Sequence, residues 1–175
     1  MRAEEVASSL LTPLGSRWSH TRAVAARAME LVSTVGVEDR ELLIASAWLH
    51  DVGYSPELRG TGLHQLDGAR YLSTTGHPAR LCALVAHHSA AMFEARERGL
   101  EAELSRWPRE ESAVSDALWT ADMTTGPSGQ SVEYAERLEE ILDRYGEDSP
   151  VASAMVLARP AVEAALRRTE ARLRH

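Results

Sequence analysis

The 175-residue sequence contains no lysine, and all 19 of its basic residues are arginines. That absence excludes the P-loop lysine, Schiff-base catalysis and an ammonium clamp on phosphate. Any phosphate must be held by arginine, metal or backbone N–H groups. A GC-rich coding genome also produces arginine in place of lysine, so the bias alone assigns no function. Cys82 is the only cysteine, which excludes an intrachain disulfide, and neither it nor any serine shows triad partners. Aromatic residues are scarce, at 5% with a single phenylalanine, while alanine, leucine and arginine are abundant. That balance favours tight helix packing over strands. Long apolar runs are missing, and the start MRAEEVASSLL lacks the basic onset and apolar core of a secretory signal. The expectation is a cytoplasmic protein with no membrane partner. Excess positive charge is also missing: the net charge of -7 argues against general nucleic-acid binding, although a local arginine cluster remains compatible with it.

What is present reads as an all-α chain whose length suits one domain, 1–175. Periodicity and breakers place helices at 3–11, 19–35, 39–51, 64–75, 78–90, 91–99, 111–122, 131–145 and 150–172. Residues 39–49, DRELLIASAWL, are apolar almost all round from Leu42 onward, which marks a central helix packed on several sides. The glycine- and proline-bearing stretches 52–63 and 124–131 read as loops beside its C-terminal end. The amphipathic tail from 132 onward, with Glu136 and Glu140 on one face, is expected to pack on the core without touching the chemistry.

The central helix ends in His50-Asp51, where polar residues close an apolar run. His20 continues the stripe of Val24, Ala28 and Leu31; His88 lies one turn beyond Leu84 and Val85; Asp122 lies one turn past Leu118. Residues three, four and seven apart share a helix face, so these side chains point inward. Burying several imidazoles and carboxylates without partners would cost about several kcal/mol each. A shared divalent metal removes that cost, whereas a set of helix caps and core polar groups is the plainer alternative. His64 begins a helix and could be only a cap or surface residue, but Gly68 one turn later leaves room for a close approach. His87 and His88 point about 100° apart on a helix, so they cannot play equivalent parts. His88 follows the apolar stripe and is the first choice for metal; His87 is left to contact phosphate, protonate a leaving group, or bind metal after a register shift. His77 and His175 read as surface residues.

The order His, His-Asp, His, His, Asp along a helical chain resembles the HD-domain superfamily of metal-dependent phosphohydrolases, over roughly Arg17 to Thr125. The resemblance implies a compact helical HD-domain bundle, with a ligand core at 17–125 and further helices at 131–172. It implies one metal bound by His20, His50, Asp51 and Asp122. It also implies a second, bridged through Asp51 and bound by His64 and one of His87 and His88. HD hydrolases often carry an arginine before the first histidine that supports the site, which points to Arg17. The pattern looks closest to the two-metal branch with symmetrical diadenosine tetraphosphatases and HD-GYP cyclic-dinucleotide phosphodiesterases. It lacks the GYP signature, and VGY follows the His-Asp pair where those phosphodiesterases carry a lysine. Substrate identity therefore does not transfer.

Imidazole nitrogens with carboxylates suit Mn, Fe, Co, Ni or Zn, whereas Mg prefers mostly oxygen. One or two such ions would activate a hydroxide for hydrolysis of a phosphoester or phosphoanhydride. The expected partner is a small phosphorylated substrate, with a nucleotide the favoured class, and the expected catalytic residues are Asp51, His87 and Arg17. Asp67 is a candidate to orient a ligand histidine, Tyr54 to contact a nucleobase or leaving group, and Arg70 a weaker phosphate contact. The four tryptophans read as core. A catalytically silent ligand-binding or sensory module, and a di-iron oxygenase of the same superfamily, stand as alternatives.

Overall fold

A computed structural model describes residues 2–146 and 148–174, which leaves His175 outside the described residues. Its α-helices run in the order α1 (Ala3–Leu11), α2 (Ser16–Glu30), α3 (Arg40–Leu49), α4 (His64–Thr74), α5 (Ala79–Ala86), α6 (Ala91–Glu97), α7 (Glu101–Leu104), α8 (Ala113–Met123), α9 (Tyr134–Tyr145) and α10 (Pro150–Leu173). Among the described residues there is no strand, only one isolated antiparallel bridge between Thr125 and Ser131. The all-α reading of the composition holds. No helix among the described residues is long and apolar enough to cross a membrane.

The apolar girth of α3 explains its place. Leu43 and Ala47 pack with Val24, Ala28 and Leu31 of the α2 segment and with Ala117, Leu118 and Ala121 of α8. Leu49 and Val52 pack with Val6 and Leu11 of α1, Leu72 of α4 and Val85 of α5. Complete burial of a leucine is worth about 1.5–3 kcal/mol, so α3 is fixed from several sides and its C-terminal end has little freedom. A separate cluster joins Trp119 and Met123 of α8 to Leu138 and Ile141 of α9 and to Met155, Ala158 and Val162 of α10. That cluster holds the C-terminal hairpin against the α8 end that carries Asp122. Pro160 lies within α10 on an exposed face beside Val156, where water can take the carbonyl its missing N–H leaves free.

Several boundaries differ from the sequence expectation, the largest of them for local reasons. The second helix begins at Ser16, directly after Gly15 at φ 55°, and gives way after Glu30 to a 3-10 turn at Val32–Thr34. The helix expected to run to 90 stops at Ala86, and Ser89 beyond it adopts φ 50°, a left-handed conformation uncommon for a residue with a side chain. The one-turn α7 is too short to show a period.

Within the loop after α3, Val52–Tyr54 forms a 3-10 turn pressed onto α4. The space at Gly68 is taken by the Gly53 backbone: a Cβ at Gly68 would meet Gly53 N at 3.2 Å, and one at Gly53 would lie 1.9 Å from the His64 carbonyl oxygen. The paired glycines thus let the segment after His50-Asp51 approach the first turn of α4, where His64 stands.

Candidate metal centre

Five helices deliver polar side chains to one buried point. His20 comes from the second turn of α2, His50 and Asp51 from the end of α3, His64 from the start of α4, His88 from just past α5, and Asp122 from the last turn of α8. His20, His50 and His88 are buried, as are both aspartates, and His64 is nearly so. Asp51 lies at the centre, and its two oxygens face different ways. Oδ2 lies 3.4 Å from His50 Nε2 and 3.8 Å from His20 Nε2; Oδ1 lies 3.3 Å from His64 Nε2 and 3.8 Å from His88 Nε2. Asp122 Oδ1 completes the first group at 3.0 Å from His20 Nε2 and 3.9 Å from His50 Nε2. Two sets of ligand-type atoms result, each within 4.8 Å of one another: His20, His50 and Asp122, and Asp51, His64 and His88.

The backbone decides which nitrogen of each ring faces inward. His50 Nδ1 donates to Ala47 O at 2.7 Å, His88 Nδ1 to Val85 O at 2.7 Å, and His20 Nδ1 to Gly126 O at 3.1 Å. A carbonyl oxygen can only accept, so each Nδ1 carries the proton and a neutral ring turns its Nε2 lone pair toward carboxylate oxygens. His64 Nε2 and His88 Nε2 face each other at 3.3 Å, and His50 Nε2, fully buried, has no hydrogen-bond partner among the described residues. Lone pairs set against anionic oxygens repel unless a cation lies between them. The donor set, its burial and the orphaned His50 nitrogen therefore fit a divalent metal of the nitrogen-and-oxygen type.

Without metal, protons answer the same demand unevenly. Burial alone would depress His50, but attraction to Asp51 and Asp122 lifts it to about 9. Burial takes His88 the other way, to about 3, helped by repulsion from His50 and His64. Asp51 and Asp122 resist the upward push of burial. The charges of His50 and Arg17 hold Asp51 well below the usual carboxylate range, and a hydrogen bond from His20 with the charge of His50 does the same for Asp122. Both carboxylates are thus anionic and available as ligands at neutral pH.

The shell around this cluster is specific. Arg17 donates from Nη1 to Asp51 Oδ2 at 2.7 Å, and its guanidinium lies 4.0 Å from the Tyr54 ring centre. Tyr54 in turn stacks on His64 with ring centres 3.9 Å apart. Burial keeps the Tyr54 phenol protonated well past its ordinary range despite the nearby Arg17 charge. Ser89 donates to Asp122 Oδ2 at 2.6 Å, a bond that accompanies its left-handed backbone and turns Oδ1 toward the histidines.

His87 is not brought to this cluster. Its Nε2 donates to Trp107 O at 2.8 Å and it lines a separate groove with Met92, Leu104 and Trp107. The catalytic and phosphate-contact roles expected of it are corrected accordingly: α5 ends at Ala86, and the two neighbouring rings diverge to opposite partners. Asp67 does not reach a histidine either; it accepts from the N–H groups of Gly60, Thr61 and Gly62 and from the Thr61 hydroxyl, pinning the loop above the site. Arg70 is absent from the residues around the cavity.

A cavity of about 60 Å³ opens from the cluster to solvent. Arg17, Asp51, Tyr54, His64, His88 and Asp122 form one wall, and α9 and α10 form the other through Arg137, Ile141, Arg144, Tyr145, Val151 and Met155. The expectation that the tail stays clear of the chemistry is therefore corrected. Gln65 and Ser89 also line the cavity and were not singled out from sequence. The one sequence sign of the α9 contribution is Arg137, which interrupts the stripe of Tyr134, Leu138 and Ile141. A family model described as HD domain matches residues 17–124. No curated protein and no solved structure matches the chain.

Proposed function

This chain belongs to the HD domain family, and from that premise we propose that it is a metal-dependent phosphohydrolase for a small phosphorylated metabolite, with a nucleotide the favoured class. The observation that carries the reading is Asp51, whose two oxygens face two separate groups of inward-turned imidazoles. His20, His50, Asp122 and Asp51 Oδ2 would hold one ion; His64, His88 and Asp51 Oδ1 would hold another. Divalent ions bound there supply activation of a water and neutralisation of charge developing on a phosphoryl group.

The protein's own groups do the rest. Asp51 and Asp122 stay anionic, the first fixed by Arg17 and the second by Ser89. The guanidinium of Arg17 lines the cavity, and its N–H groups not given to Asp51 are suited to a phosphoryl oxygen. Tyr54, kept protonated, offers an O–H to the leaving-group oxygen in the same cavity. The α9–α10 wall supports reading the whole chain, 1–175, as one working domain.

The test is phosphate release from a panel of nucleotides and phosphoesters by metal-supplemented protein, in air and without oxygen. Release that is independent of oxygen and abolished by chelation is expected. Metal-loaded protein that binds panel members without turnover would assign the site to ligand binding, and product formed only in oxygen would assign it to an oxygenase.

A further inference from the structure

The α9 wall carries a charge that neither the metal-centre geometry nor the proposed hydrolysis uses. Arg137 is 4% exposed, lines the cavity, and pairs through Nη1 with Glu140; its Nε has no hydrogen-bond partner among the described residues. Glu140 also pairs with Arg144, one-third exposed and lining the same cavity. One carboxylate thus serves two guanidiniums. Of the other charged groups around the cavity, Arg17 pairs with Asp51 and Glu94 with Arg98 at 2.7 Å, while Asp122 faces the metal-ligand histidines. A buried guanidinium with an idle N–H is costly unless an acceptor arrives.

On a helix, residues 137, 141, 144 and 145 share one face. Arg137 lies buried, and Arg144 and Tyr145 are more exposed toward the mouth. The stripe thus offers anion contacts from the interior outward, beside but separate from the metal-ligand cluster. We propose that Arg137 and Arg144 form a second-phosphate subsite, so that the favoured substrates carry two adjacent phosphates, as in a phosphoanhydride, with the first phosphoryl group at the metal centre and the next on α9. This deepens, and rests on, the hydrolase reading of the same site.

The experiment is calorimetric titration of metal-loaded protein with inorganic phosphate and with inorganic pyrophosphate, metal content being measured before and after. Wild type should bind pyrophosphate at least about tenfold more tightly, the scale of one charge-assisted contact. Arg137→Gln should remove about ten- to a hundredfold of pyrophosphate affinity and leave phosphate affinity nearly unchanged. Glu140→Gln separates an anion site from a structural ion pair: freeing the arginines should raise pyrophosphate affinity, whereas a purely structural pair would make the Arg137 and Glu140 variants fail alike. Arg144→Gln, at a more exposed position, should show the same selective loss if Arg137→Gln does not fold. Equal weakening toward both anions, parallel behaviour of the Arg137 and Glu140 variants, or unchanged selectivity in Arg144→Gln would overturn the proposal. Binding requires no turnover. Selective loss in a protein that hydrolyses nothing would keep the subsite and remove the proposed activity; turnover with unchanged selectivity would do the reverse.

Discussion

Asp51→Asn keeps the size of a side chain that is almost fully buried and removes the charge its two oxygens share between two groups of histidines. Unit charges 4 Å apart at an effective dielectric of about 20 interact by about 4 kcal/mol. Loss of that attraction at either metal position corresponds to about a thousandfold in metal affinity. Folding should suffer less. Arg17 loses its anionic partner at 2.7 Å, but it is 18% exposed and keeps the Tyr54 ring, so about 1–3 kcal/mol of stability is expected to go, below the cost of a fully buried pair. Phosphate release should fall by about a thousandfold or more, since each 1.36 kcal/mol of lost transition-state stabilisation is about tenfold in rate. The assay combines metal content after dialysis, a thermal melt followed by circular dichroism, and phosphate release on the best wild-type substrate. A folded, metal-loaded Asp51→Asn protein that turns over at nearly the wild-type rate would refute the reasoning.

Chelated protein should be most stable near pH 6.5 and lose stability in both directions. His50, raised from 6.5 to about 9, contributes stability fully present below 6.5 and lost as pH rises toward 9; His88, lowered from 6.5 to about 3, contributes stability fully present above 6.5 and lost as pH falls toward 3. Metal should flatten this profile between pH 6.5 and 9 and release a proton from His50 on loading, measurable by calorimetry in buffers of different ionisation enthalpy; no proton release near pH 7.5 would count against it. Gly53→Ala sets a Cβ 1.9 Å from the His64 carbonyl oxygen and 2.6 Å from Gly68 N, so α4 must shift, at about 1–3 kcal/mol. The melt should drop and metal content fall, and wild-type values in both would show that the close approach is not needed. His87→Gln should cost about 1 kcal/mol through its lost bond to Trp107 O and leave metal content and turnover unchanged; loss of turnover with metal intact would return His87 to the chemistry.

The convergence of His20, His50, Asp51, His64, His88 and Asp122 was legible because each is polar on an apolar helical stripe or at its end. Helical periodicity says which way such a residue points, and the burial of α3 says that its end must lie inside. Periodicity failed where the helix stopped. It cannot foresee that α5 ends at Ala86, or that Ser89 turns left-handed to hold Asp122. His88 did face the cluster, through its Nδ1 bond to Val85 O. Asp67 was a candidate to orient a ligand histidine, but three backbone N–H groups of the 60–62 loop claimed it. Arg137 was hidden for a different reason. Its place in the cavity wall depends on α9 docking against α8 and α10 through Met123, Ile141 and Met155, and no local pattern encodes which wall of a distant cavity an amphipathic helix will form.

The central claim, that this buried cluster is a divalent metal centre shared through Asp51, is tested most directly by anomalous diffraction from crystals grown with manganese. The account predicts density on both sides of the Asp51 carboxylate, one peak among His20, His50 and Asp122 and the other beside His64 and His88. No peak at either position under saturating manganese, with the imidazole nitrogens paired only to protein groups or water, would contradict it.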